Sequence, residues 1–461
     1  MEQDFNFNYR KLAGTAKFSS FVENICILFF CLMYILAVNW ALKPDYMNGE
    51  LVVSSYEKSY SILRMIACLG IVILVKEITY ALVSNRDSVS YYIIRALYFL
   101  YEIPLILSYC LFDHENFFTF FVSEVAYWIC ICLALRFMSK LYRSAEKPKK
   151  IQMPKSFVRL CILAVVVAGI AYCIRAVGGV TVSFSLSGIY RIRAMYKENA
   201  SDVVTFLKSA AGGYICPCMI AYYCAKKRWV FAGAACVLQC FCFLLARDKV
   251  YLFILPLAIA VGFFSSLIKE KFEKCLNAGY LCYGAGLFLA AVNIKRTMIM
   301  ELLTRRMMVV PTYLNYVYYD FFTKNEPIWW RQDTFLVDKL FVPVYQQSVP
   351  LQISEVYFNK LEGNPNAGMF AEAFSRCGFF GIIIYPVLLA VLFLLIDHCY
   401  RDSGSAVKVL LGICVGVAVS NDVITSTAFV ITMVLVLLAS RFFRKNNDGE
   451  PVLDPAEMVE T

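Results

Sequence analysis

Apolar residues run along this chain in blocks of roughly 20, each broken by a short polar cluster, which is the length that crosses a bilayer core as a helix. The blocks fall at residues 19–42, 59–82, 91–112, 117–137, 157–176, 203–223, 230–246, 250–268, 276–294, 369–396, 406–420 and 422–440. The pattern predicts an all-α, polytopic integral membrane protein with about twelve transmembrane helices. The last two blocks are short and also readable as one re-entrant hairpin. Divided this way, residues 1–461 form a single membrane domain with no room for a separate soluble one. The first block follows a polar start containing Arg10, Lys11 and Lys17 and is too long for a signal-peptide core, so it is expected to stay as an anchor.

Composition agrees: 60% of the 461 residues are hydrophobic and only 17% charged, which excludes an ordinary soluble protein. The +10 net charge is read as a topology signal rather than a nucleic-acid patch. Lys140, Arg143, Lys147, Lys149, Lys150 and Lys155 crowd one short connection, Lys226, Lys227 and Arg228 a second, and Lys269, Lys271 and Lys274 a third. With these inside, both termini are cytoplasmic, and the acidic tail Asn446–Thr461 is expected to be disordered. Most of the 19 cysteines lie within apolar blocks, where a thiol behaves as a small apolar group, so no disulfide framework is expected. Cys216 and Cys218 flank Pro217 with no histidine near, so no metal site is expected.

Three connections fall outside: Lys43–Lys58, Ala176–Asp202 and the long Lys295–Ala367. The last holds Tyr313, Tyr316, Tyr318, Tyr319, Phe321, Phe322, Trp329 and Trp330, a density that suits the headgroup interface. An interfacial helix that merely caps the bundle is the simplest use of it.

Candidate chemistry enters where charge breaks the inside bias. Arg175, Arg191, Arg193, Arg247, Lys249, Lys295, Arg296, Arg305, Arg306 and Arg376 all fall on the outer side. In one bundle they are expected to converge on an outer cavity, and clustered guanidiniums favour a phosphate or pyrophosphate between them. The alternative is local pairing, as between Arg247 and Asp248. Outer carboxylates include Asp248, Asp320, Asp333, Glu372 and Asp422, and no Asp-x-Asp suggests a metal-bound sugar donor. The two histidines are His114, in an outer turn, and His398, inside. Within the blocks Arg64, Lys76, Glu77, Glu102, Glu124 and Arg136 are costly charges. Glu102 either faces Arg64 or Arg136 in a structural pair or lines a proton or ion path.

Three stretches carry a family likeness: SGIYRIRA at Ser187–Ala194, RRMMVVPTYLNYVYYDFF at Arg305–Phe322, and GNPNAGMFAEAFSRCGFFG at Gly363–Gly381. The turn Ala246-Arg247-Asp248-Lys249 adds to them. Over roughly residues 180 to 440 the chain resembles the Wzy-type O-antigen and capsule repeat-unit polymerases. The resemblance implies a GT-C-like bundle with a large external loop. Its activity would be metal-independent and cofactor-free, joining undecaprenyl-pyrophosphate-linked oligosaccharides on the outer face of the bacterial plasma membrane. Membrane lipid is the other partner; a chain-length regulator is left open, and no nucleic acid is involved. By position, Arg191 or Arg193 and Arg305 or Arg306 would grip the two pyrophosphates, with Arg247 and Arg376 beside them. Arg-x-Gly spacing is absent, the first glycine after Arg193 being Gly212, so the essential member of each pair stays open. Glu372, one turn from Arg376 on the same helix face, is the first candidate for the base that takes the acceptor proton, and Asp320 the second. Glu372 and Arg376 are equally readable as a plain i,i+4 pair. The rival readings are an O-antigen-type ligase, whose large loop should supply a histidine, and a transporter or flippase, which needs a polar path through the bilayer.

Overall fold

The computed structural model describes residues 2–41, 61–112, 116–144, 155–176, 196, 200–246, 248–292, 300–335, 337–358 and 368–444. Among them all extended regular structure is helical. In chain order the helices are α1 (Glu2–Ala41), α2 (Ile62–Leu82), α3 (Val89–Leu111), α4 (Phe117–Ser144) and α5 (Lys155–Ala176), then α6 (Asp202–Ala225), α7 (Trp229–Ala246), α8 (Lys249–Phe263) and α9 (Ser265–Val292). A π-helix, Met300–Val309, runs into α10 (Val310–Lys324), followed by α11 (Val349–Phe358), α12 (Met369–Cys377), α13 (Gly381–Tyr400), α14 (Ser405–Asn421) and α15 (Thr427–Ala439).

Seven helical segments among the described residues are long and apolar enough to cross a membrane: Ser19–Asn39, Ile62–Leu82, Val89–Leu111, Phe117–Tyr142, Asp202–Ala225, Lys271–Val292 and Met369–Tyr400. Apolar but shorter are α7, α8, α14, α15 and the Ile162–Arg175 part of α5. Each apolar block of the sequence thus contains a helix among the described residues, and the chain is a polytopic membrane protein. A helix satisfies its backbone internally, which lipid demands. The side chains left outward, such as Leu63, Val230 and Ile383, are apolar and suit a hydrocarbon surrounding.

Close packing sets the order of the bundle. α1 lies along α9, α4 along α13, and α6 against α7, α8 and α15. α14 meets α3 through Gly412 and Gly416, four residues apart; a Cβ at Gly412 would stand 2.5 Å from Tyr92 Cβ. Small residues at that spacing let two membrane helices approach backbone to backbone.

Most charges inside the bundle are compensated. Lys76 is wholly buried, yet its Nζ meets Glu77 Oε1 at 2.9 Å, Ser20 Oγ at 3.2 Å, Glu23 at 3.8 Å and Asn24 Oδ1. Arg95 reaches Glu23 at 3.8 Å and Glu273 at 3.3 Å. These pairs tie α1, α2, α3 and α9 together, and Glu23, Arg95 and Glu273 join the charges that the sequence singled out. Arg136 donates to Ala81 O and Arg64 lies over the Tyr109 ring, so neither is the partner expected for Glu102.

The aromatic helix α10 is not an interfacial cap. Residues Pro311 to Phe322 are all buried. Tyr316 and Tyr319 pack on Phe120 of α4, and Tyr319 packs on Phe374 of α12. Ring density signalled burial between helices here, because protein neighbours satisfy the same apolar faces that lipid headgroups half cover.

α12 is held against the end of α14 by Gly368. A Cβ there would fall 2.2 Å from Ser420 O, a backbone atom that cannot step aside. Gly368→Ala is expected to cost about 1–3 kcal/mol as α12 is pushed off α14. Thermal unfolding of the purified protein in detergent reads this out, and an unchanged midpoint would contradict the close approach.

Candidate active site

The site is assembled at the helix ends that carry Asp248 and Asp422, the end that the Lys/Arg bias assigns to the outside. Ser201 caps α6 by accepting from Val204 N–H at 3.4 Å. About two turns on, the buried Lys208 donates to Asp248 Oδ2 at 2.6 Å, just before α8 begins. The same ammonium lies 4.9 Å from the Tyr196 ring centroid and 5.5 Å from that of Tyr251. Tyr196, three positions after Arg193 in the chain, is thereby placed beside Asp248. Gln239 of α7 fixes the base of this arrangement by donating to Gly212 O and Tyr251 O, both at 3.0 Å. Asp248, offered by the sequence as Arg247's partner, is thus engaged by Lys208.

A second group closes the site from the other flank. Glu372 on α12 is buried, and both of its oxygens accept hydrogen bonds from the turn that links α14 to α15. Ile424 N–H reaches Oε2 at 2.6 Å; Thr425 N–H and its hydroxyl reach Oε1 at 2.9 and 2.5 Å. Tyr385 adds a longer bond of 3.4 Å. Asp422 opens that same turn. Its N–H binds Ala418 O at 2.7 Å, but its carboxylate has no hydrogen-bond or ion-pair partner among the described residues. Asp422 keeps the accessible surface of an exposed residue although protein surrounds it on most sides; accessible surface is the better guide to whether a ligand can reach it. Burial by that surrounding protein, then the charges of Asp248 and Glu372, push its pKa up to about 6.

The residues expected from the sequence divide sharply. Arg191, Arg193 and Arg247 lie outside the described residues, as do Gly363–Ala367 and His114. Arg306 contributes backbone to the π-helix Met300–Val309, and its side chain lies outside the description. Arg305 is half-buried on the same π-helix, which packs chiefly on α3, α9 and α10. The described residues therefore do not bring Arg305 to the Lys208–Asp422 group.

Arg376 is not laid open to a ligand. It is 2% exposed, and its guanidinium donates to Gln332 O and, at 2.7 Å, to Asp333 O. Those carbonyls belong to a strap, residues 326–335, that also binds through Ile328 N–H to Ser375 O, Trp329 N–H to Arg376 O and Phe335 N–H to Thr425 O, each at 2.9 Å. Trp329, Trp330 and Asp333 sit in the strap at φ of +49°, +60° and +55°, a strained region for side-chain-bearing residues. Arg376 is what holds this strain in place. Glu372 and Arg376 do not pair, contrary to their spacing, because each has a better partner across the bundle. Asp320 is likewise engaged: Lys324 reaches its Oδ1 at 2.8 Å and Tyr357 OH its Oδ2 at 2.6 Å. A base role for Glu372 or Asp320, or a ligand role for Arg376, would require these bonds to break.

Sequence reasoning passed over Asp422 and Lys208. Asp422 was visible as an outer carboxylate at the end of an apolar block; Lys208, a lone lysine inside another, was the remaining signal. A cavity of about 790 Å³ lies elsewhere, at the opposite helix ends among Arg136, Lys140, Asp397, His398, Arg401 and Lys408. Its volume does not outweigh the chemistry around Asp422, since positive residues at that end are what topology alone provides. Compared with known proteins, the chain matches no family model, no curated protein and no solved structure.

Two variants test these assignments. Glu372→Gln turns an amide donor toward the N–H groups of Ile424 and Thr425 and is expected to lower stability by about 1–3 kcal/mol, as read by thermal unfolding; a purely catalytic carboxylate would leave stability unchanged. Arg376→Gln is expected to expose the strap to limited proteolysis between residues 326 and 335, with wild-type protein resistant there; equal resistance would mean the strap stands without it.

Proposed function

We propose that this chain is a membrane glycosyltransferase that polymerises undecaprenyl-pyrophosphate-linked oligosaccharide repeat units into O-antigen or capsular polysaccharide on the outer face of the bacterial plasma membrane. On this reading the twelve apolar helices form a GT-C-like bundle with both termini cytoplasmic. The resemblance in the arginine-bearing loops supplies the substrate class. The observation that carries the reading is Asp422, a reachable carboxylate with no partner among the described residues, near the Lys208–Asp248 pair, which follows Arg247 in the chain and lies by Tyr196, three positions after Arg193.

The chemistry follows from those groups. An acceptor sugar hydroxyl gives its proton to Asp422, and its oxygen attacks the anomeric carbon of the donor glycan. The bond to the lipid pyrophosphate breaks, and the leaving oxygen takes the electron pair. Arg191 or Arg193 and Arg247 stabilise the negative charge that develops on the donor pyrophosphate, Lys208 adds its positive charge at the same turn, and Arg305 or Arg306 grips the second lipid pyrophosphate away from that turn. Metal independence is part of the proposal because the outer segments contain no Asp-x-Asp. Glu372 positions Asp422 by holding the turn, and Arg376 shapes the strap above it.

Purified protein in nanodiscs, given lipid-linked repeat units from a strain lacking it and with EDTA present, is expected to yield a ladder of polymer. Asp422→Asn should slow polymerisation by about 10²–10⁴-fold, the usual worth of a general base. Because only the ionised carboxylate accepts a proton, the wild-type rate should fall about tenfold per unit as pH drops below about 6, and the variant should lose that dependence. A rate indifferent to Asp422→Asn would remove it as the base. No ladder, with lipid-linked sugar instead crossing vesicle membranes, would favour a flippase.

A further inference from the structure

Glu102 of α3 and Glu124 of α4 are wholly buried within membrane-spanning segments and take no part in the site above. Both oxygens of Glu102 and Oε2 of Glu124 have no hydrogen-bond partner among the described residues. The cations of the bundle are committed elsewhere: Lys76 to Glu77 and Glu23, Arg95 to Glu23 and Glu273, Arg136 to Ala81 O, and Arg64 to the Tyr109 ring. Glu102 directly follows Tyr101 in the π-helical turn, and the Tyr101 hydroxyl meets Glu124, so the two carboxyls are neighbours in the bundle core. The titratable groups facing Glu102 are Tyr98, Tyr101 and Cys132, and those facing Glu124 are Tyr101 and Tyr127, all uncharged in their ordinary state.

Local structure aims this pair. Tyr98–Glu102 is a π-helical turn two residues before Pro104, and such wide turns re-aim side chains and recur at functional sites. Tyr101, in the same turn, donates its hydroxyl to Glu124 Oε1 and accepts from Asn315 Nδ2 at 2.9 Å. Asn315 of α10 in turn accepts Ala371 N–H at 3.1 Å, next to Glu372 on α12. A continuous chain of hydrogen bonds thus joins Glu124 to the helix that holds the Asp422 turn.

Two neighbouring carboxylates without a cation cannot both stay ionised in a dry interior, because burial and mutual repulsion each oppose it. We propose that Glu102 and Glu124 are a proton-binding site in the membrane core, occupied by protons at neutral pH and connected through Tyr101 and Asn315 to α12. The protons come from water, no other bond is made or broken, and the rival occupant is a sodium ion, which would balance one carboxylate and leave the other to a proton.

Infrared difference spectroscopy on the full protein in nanodiscs at pH 7 separates these cases. Wild type minus the Glu102→Gln/Glu124→Gln double variant should show a protonated-carboxyl C=O band that shifts in D2O. Each single variant should remove about half of it, the two sites being equal in number, and replacing sodium chloride by choline chloride should leave it unchanged. A difference spectrum with carboxylate bands alone would overturn the proposal, as would a C=O band that grows only when sodium is removed. If the double variant does not fold, as judged by gel filtration, Glu124→Gln alone carries the same test, since Tyr101 can still donate to its amide oxygen.

Discussion

The geometry of the candidate site depends on one buried carboxylate accepting hydrogen bonds from one turn. Glu372 takes two backbone N–H groups and a hydroxyl from residues 424 and 425, so its charge is met by fixed donors rather than by a counter-ion. This bond set fastens the α14–α15 turn to α12 and leaves the residue that opens it, Asp422, without a partner among the described residues. Gly368 permits the approach, and Arg376 ties the strap over the same helix by two backbone carbonyls. An apolar bundle offers few polar anchors, so a short helix that carries Glu372 and Arg376 one turn apart organises most of the polar structure around it.

Charges in this protein fall into three physical situations. Lys76, Arg95, Glu23 and Glu273 meet opposite charges and staple helices. Glu372, Arg376 and Arg136 meet backbone dipoles and shape turns. Among the described residues Glu102, Glu124 and Asp422 meet neither, and perturbed carboxyls in that condition are candidates for proton exchange. Asp422 differs from the acid pair in being reachable, which is why transfer chemistry is assigned to it and proton storage to the pair.

Much of the fold was legible because lipid imposes one rule, a long apolar helix, that shows directly in composition. Helix α10 was readable either as an interfacial cap or as more than a cap, because ring density does not distinguish a headgroup neighbour from Phe120 or Phe374. The π turn at Tyr98–Glu102 left no mark beyond Pro104. At the site, residue types were legible and availability was not. Glu372, Asp320 and Asp422 look alike along the chain, and only their neighbours in space decide that two are occupied and that one has no partner among the described residues. The spacing of Glu372 and Arg376 suggested a pair, but spacing describes one helix and their partners lie on other segments.

The most direct test of a pyrophosphate-handling outer site is a cryo-electron microscopy structure of the full protein in nanodiscs with undecaprenyl pyrophosphate bound. The account predicts the pyrophosphate between the Lys208–Asp248 turn and Asp422, with arginines of the flanking external loops closed on it. Pyrophosphate density at the opposite end of the bundle, in the cavity beside Arg136 and Arg401, would contradict it.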